Sequence, residues 1–187
     1  PLNTPITVSA TTSEMGETVI QANVAETIIR ASLADGVQVA TEGNLELPDF
    51  GVQLENGLTW SVGTGFSGQS VVLADLSEDT RARLELTGTE GLTINGNVNA
   101  GGTSIASLNL STSARPWQAG EDTLQGNINL AVPVGDLAPI GVVADVSVDG
   151  PLTSPQLAGN VQVLDDVGIL AEGDVTASLE GANLTLT

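Results

Sequence analysis

Apolar and polar residues alternate with a period of two along most of this chain, the mark of strands that turn one side to apolar surroundings and the other to water. The pattern is cleanest at 92–100, where Leu92, Ile94, Gly96, Val98 and Ala100 share one parity while Thr93, Asn95, Asn97 and Asn99 hold the other. It returns with Leu124, Gly126, Ile128, Leu130 and Val132 against Gln125, Asn127 and Asn129. A third copy sets Leu157, Gly159, Val161 and Val163 against Asn160 and Gln162. Shorter stretches of the same kind are Leu58, Trp60 and Val62; Ala82, Leu84 and Leu86; Val142, Ala144, Val146 and Val148; Val175, Ala177 and Leu179; and Leu184 with Leu186. Residues 17–33 are ambiguous, because Val19, Ile20, Val24, Ile28, Ile29 and Leu33 fit a helix about as well as two strands. Their β-branched content favours strands.

Turn signals punctuate these runs at Asp35-Gly36, Asn56-Gly57, Asn95-Gly96, Gly101-Gly102, Ala119-Gly120, Asp149-Gly150-Pro151 and Glu180-Gly181. Asn95-Gly96 falls inside the cleanest strand, so it predicts either a bulge or a break there. A Gly-Asn-aliphatic unit repeats at irregular spacing, beginning at Gly43, Gly96, Gly126 and Gly159, each glycine on the aliphatic side of its strand. Glycine on that side removes a side chain and lets a sheet bend, which predicts a curved sheet; the plainer alternative is that Gly-Asn simply opens strands.

Composition narrows what such strands can build. The chain has 187 residues, enough for one domain, and 41% are hydrophobic, yet only two Phe and two Trp are present. The apolar surface is therefore aliphatic. A closed β-sandwich would show the same alternation, but its gap between sheets is usually filled by bulky and aromatic side chains. A lining of Val, Leu, Ala and Gly points instead to an all-β, long, curved, open sheet with an apolar interior groove. Residues 1–187 read as a single β-rich domain, and a first residue other than Met reads as a fragment of something longer.

Charge removes whole classes of partner. Twenty-three carboxylates face four Arg (Arg30, Arg81, Arg83 and Arg115), for a formal charge of −19. Nucleic acid would be repelled, and so would anionic lipid headgroups, so any lipid must be held by its acyl chains. No apolar run reaches the roughly 20 residues of a membrane span, and the opening residues carry no signal-peptide pattern. Catalysis is not expected, since without His, Cys, Lys or Tyr a general base or nucleophile would have to come from carboxylates and hydroxyls. The adjacent acids Glu78/Asp79, Glu121/Asp122 and Asp165/Asp166 read as solvated loops, and neither calcium-loop motif nor any cofactor motif is present. Arg81 and Arg83 lie on a polar parity beside Glu85, which predicts cross-strand charge pairing on the outer face, with a lipid-headgroup contact at a groove rim as the alternative. Trp60, Phe66 and Trp117 are expected to pack in a core or cap an end.

The run VSVDGPLTSPQLAGNVQV at 146–163, and the acidic and glycine turns leading to the Asn-Leu-Thr-Leu phrase that follows, resemble the repeating signature of the TamB family of translocation and assembly module subunits, AsmA-like envelope proteins. The resemblance is specific over 124–187 and compositional before that. It implies a sheet folded like a taco shell, a β-taco, belonging to a periplasmic bridge anchored in the inner membrane of a Gram-negative-type bacterium. It further implies phospholipid transport between the membranes, support of outer-membrane protein and autotransporter assembly, and a TamA-type barrel partner. On that expectation the groove is lined by Trp60 and by the Leu, Ile and Val residues of the alternating runs above other than Val142, and bent by Gly43, Gly96, Gly126 and Gly159. Two rivals stand beside it: a chaperone-like module that adds a strand from outer-membrane protein clients or a barrel partner to its edge, and a structural segment with a closed core.

Overall fold

A computed structural model describes residues 6–12, 18–24, 27–32, 38–47, 51–113, 123–134, 140–178 and 181–186. They form fourteen strands: β1 (Ile6–Thr12), β2 (Thr18–Val24), β3 (Thr27–Ser32), β4 (Gln38–Leu47), β5 (Val52–Asn56), β6 (Leu58–Ser61), β7 (Gly65–Ser77), β8 (Thr80–Ala100), β9 (Thr103–Thr112), β10 (Thr123–Val132), β11 (Gly141–Pro151), β12 (Gln156–Leu164), β13 (Ile169–Ser178) and β14 (Gly181–Leu186). All belong to one antiparallel sheet in which neighbours in sequence are neighbours in space, except that β6 continues β5, both lying between β4 and β7. The sheet is open and curved, and about 60 Å lies between its outer strands when measured along the surface at 4.8 Å per strand. No helix and no second sheet occur among the described residues. The sandwich alternative is thereby excluded, and residues 17–33 contain β2 and β3 rather than a helix.

β8 carries the largest departure from the predicted layout. Straight, its 21 residues would span about 70 Å. Instead the Gly101 N–H donates to the Asp79 carbonyl at 2.9 Å, so the two ends of β8 meet. The chain doubles back at Glu90, a non-glycine residue with φ of 71°, and Gly91. Residues 80–90 pair with β7 and residues 93–100 with β9. Asn95-Gly96 is neither the predicted bulge nor a break: Asn95 pairs with Asn109 and Gly96 with Leu108 in an unbroken ladder. The bulge sits further on, between Val98 and Asn99.

Other turn signals divide in the same way. Gly101 and Gly102 do turn the chain, with φ of 57° and 81°, the doubly positive pattern of the tightest hairpins. Asn56-Gly57 does not turn the chain: β5 ends at Asn56 and β6 continues past Gly57 in the same register with β4 and β7. Asp149-Gly150-Pro151 is not a turn but the end of β11, paired with Thr123, Leu124 and Gln125. Reversal comes just after it, where the Ser154 N–H reaches the Pro151 carbonyl at 3.0 Å. Asp35-Gly36, Ala119-Gly120, Trp117, Arg115, Leu179 and the Glu121/Asp122 pair lie outside the described residues.

The two faces differ as the alternation requires. In β10, Leu124, Gly126, Ile128 and Leu130 are half-buried while Thr123, Gln125, Asn127 and Asn129 are exposed. The polar face is laced by side-chain bonds across strands, among them Asn109 to Asn95 and Asn129 to Ser107. Of the two arginines, Arg81 pairs across strands with Asp75 at 2.9 Å, whereas Arg83 pairs along its own strand with Glu85 at 3.0 Å. The Arg81 and Asp75 side chains are 77% and 61% exposed, so Arg81→Ala should change stability by about 0.5 kcal/mol or less in urea unfolding.

Packing is thin everywhere. Only Val71, Ala100 and Val148 are buried apolar side chains among the described residues, and no large side chain is fully enclosed. Val71 and the polar Ser70 are buried side by side on β7, where the Gly57 N–H donates to the Ser70 hydroxyl at 3.3 Å.

Candidate functional site

Register assembles the aliphatic parity into rows that cross the strands. The central row runs Leu45, Leu54, Val72, Leu84 and, beyond the reversal of β8, Gly96, Leu108, Ile128, Val146, Gly159, Val175 and Leu184. The two halves of the row join because a Cβ placed on Gly96 would lie 3.2 Å from Leu84 Cδ1. A parallel row on one side runs Val52, Ala74, Ala82, then Val98, Ala106, Leu130, Ala144, Val161, Gly173 and Leu186. On the other side stand Leu86, then Ile94, Leu110, Gly126, Val148 and Leu157. Val132 and Val163, both opposite Val142, extend the surface at one end, while Leu124 and Leu92 flank Thr112 at the other.

Where four adjacent strands meet, this surface sinks into a trough of about 330 Å³. Val72 and Ala74 come from β7, Ala82, Leu84, Gly96 and Val98 from the two arms of β8, Ala106 and Leu108 from β9, and Ile128 from β10. Most predicted lining residues thus share one face. Leu58 and Trp60 lie on β6, which continues β5 in register and so keeps them on the parity of Leu54, with Trp60 opposite Phe66. Val62 leaves the set: it sits in the turn after β6 and is 46% exposed. Leu184 and Leu186 take their places in β14 by register.

Val72, Ala74, Ala82, Ala106 and Leu108 were missed. The alternation of Ala106, Leu108 and Leu110 against Ser107, Asn109 and Ser111 could have found three of the positions on this face. Val72 and Ala74 are hidden in the continuous apolar run 71–74, which has no parity to read.

The four predicted glycines act differently. A Cβ on Gly126 would overlap the Asn109 carbonyl oxygen, and one on Gly159 the Asp145 carbonyl oxygen, so at these points neighbouring backbones approach too closely for any side chain. Gly96 is limited only by the side chains of Leu84 and Leu108, and its part is to empty the floor of the trough. Gly43, at φ of 97°, pairs with Asn56 at the end of β5.

The chain matches no known protein family, no curated protein and no solved structure. What the trough can do follows from its own chemistry. Arg83, Asn97 and Ser107 also border it but belong to the polar parity, so its aliphatic side chains offer dispersion and water exclusion rather than directed hydrogen bonds. Among the described residues no cluster of three or more His, Cys, Asp or Glu could hold a metal ion, and Glu78/Asp79 and Asp165/Asp166 occupy the β7–β8 and β12–β13 connections.

Proposed function

We propose that this chain is a lipid-conducting segment of a periplasm-spanning, inner-membrane-anchored bridge protein of the TamB type, carrying phospholipid between the membranes and so supporting outer-membrane protein and autotransporter assembly with a TamA-type barrel partner. One observation carries the lipid reading: a sheet with an apolar face normally buries it against a second layer, and here no described residue covers it. An acyl chain laid along the rows would gain about 0.8 kcal/mol for each methylene it buries. Because the rows cross strand after strand with similar aliphatics, successive positions differ little in energy, and passage needs no chemistry. The asparagine-rich opposite face stays in water, and the charge of −19 directs binding to acyl chains rather than to anionic headgroups.

Photocrosslinkers at Ile94, Ile128 and Val161, in protein purified without detergent, should capture phospholipid, and native mass spectrometry should show the same lipid as an adduct. Recovery of polypeptide alone at all three positions would refute the conduit.

A second function has its own support in the free edges of β1 and β14, which lack a partner strand among the described residues. Strand addition there would recruit an outer-membrane protein client or a barrel partner through backbone hydrogen bonds. Crosslinkers on β1 would then capture client protein. The closed-core structural segment has no support, since the sheet has no covering layer among the described residues.

A further inference from the structure

On the face opposite the trough lies a second cavity, of about 490 Å³. Its sides come from the polar parity: Gln53 on β5, Asp75 on β7, Arg81 and Arg83 on the first arm of β8, and Asn97 and Asn99 on the second. The reversal of β8 is what brings the last two beside the first four. Its floor is Leu73, an apolar residue on the polar parity, in register with Gln53 and Arg83.

The charges here cancel. Arg81 Nε meets Asp75 at 2.9 Å, and Arg83 meets Glu85 at 3.0 Å, where the other Glu85 oxygen accepts from Gln69 at 2.6 Å. Two guanidiniums and two carboxylates give no net pull on an anion or a cation. A guanidinium has five N–H donors in a planar fork, and each of these forks makes one ion-pair contact, so most of its donors face outward unclaimed. Asn99 Nδ2 donates to Asn97 Oδ1 at 3.1 Å, which fixes the pair and leaves the Asn99 oxygen as an acceptor and the Asn97 amide as a donor.

Planar donors and acceptors with no net charge, set around an apolar floor, match a neutral sugar ring: vicinal hydroxyls take the forks and amides, and the C–H side of the ring rests on the Leu73 side chain. We propose that this cavity binds a neutral saccharide. The cavity falls in the size range of small-molecule sites. Ala74, Ala82, Arg83 and Asn97 border both this cavity and the trough, so the two sites share strands β7 and β8.

The test is titration of ¹⁵N-labelled protein with maltopentaose, cellopentaose and chitopentaose, followed at the side-chain amides of Gln53, Asn97 and Asn99. At least one sugar should shift all three amides, with millimolar affinity. Arg83→Gln, which removes a charge-assisted hydrogen bond, and Leu73→Asp, which puts a hydrated charge on the apolar floor, should each weaken that binding about tenfold, while Ile128→Asp on the other face should leave it unchanged. Silence toward all three sugars at about 10 mM would overturn the proposal. Shifts produced by inorganic phosphate and not by sugar would overturn it too, marking an anion site, as would sugar shifts that persist in both cavity variants.

Discussion

Ile128→Asp should abolish phospholipid capture at the trough while the sheet stays folded. Ile128 stands in the central row between Leu108 and Val146 and contributes to the trough wall. It is half-buried, so in the lipid-free protein an aspartate there keeps much of its hydration, and the fold should lose only about 1–2 kcal/mol. An acyl chain lying over the same position must strip that carboxylate of water, which costs several kcal/mol and exceeds the gain from a few methylenes. Lipid adducts in native mass spectra, and crosslinking yield from a probe at the neighbouring Ile94, should therefore fall at least tenfold, with the far-UV circular dichroism unchanged. Undiminished yield beside the new charge would mean that lipid does not pass there.

A larger effect on stability is expected from Gly159→Val. The new Cβ would coincide with the Asp145 carbonyl oxygen, and neither that backbone nor the one carrying residue 159 can move without breaking the β11–β12 ladder. Overpacking a well-packed core with extra side-chain atoms costs about 1–3 kcal/mol, and a clash with paired backbone should exceed that range. Gly126→Val should behave alike against Asn109. Gly96→Ala should be nearly neutral, because its nearest contact is the end of the Leu84 side chain at 3.2 Å, which can rotate away. Urea midpoints of the three variants check the ranking. If Gly96→Ala proved as damaging as the other two, these glycines would share one role after all.

Much of this architecture was readable from residue order. Alternation located the strands, because the side-chain period of an extended chain is two and a one-residue error would turn every aliphatic to water. It assigned Ile94, Ile128 and Val161 to one face, and register confirms that their rows lie side by side. What escaped it was conformation that side-chain type does not announce. Asn95-Gly96 has the residues of a hairpin turn but lies in a ladder, whereas the real reversal uses Glu90 at positive φ, an uncommon choice for a residue with a Cβ. Gly150 likewise looks like a turn and ends a strand. The trough was half visible for the same reason: Ala106 and Leu108 follow the alternation, but Val72 and Ala74 sit in a run apolar on both parities, and only pairing with Leu84 and Ala82 assigns their side. Leu73 in the same run faces the other way, and the second cavity could not be foreseen without the return of β8.

Methyl NMR with a doxyl-labelled phospholipid offers the sharpest check on whether the uncovered aliphatic face is the lipid surface. The methyls of Leu84, Leu108, Ile128 and Val146 should broaden on addition of the labelled lipid, while those of Leu73 and of Val143, which is 38% exposed on the polar parity, should keep their intensity. Equal broadening on both faces, or none on either, would contradict a lipid path along these rows.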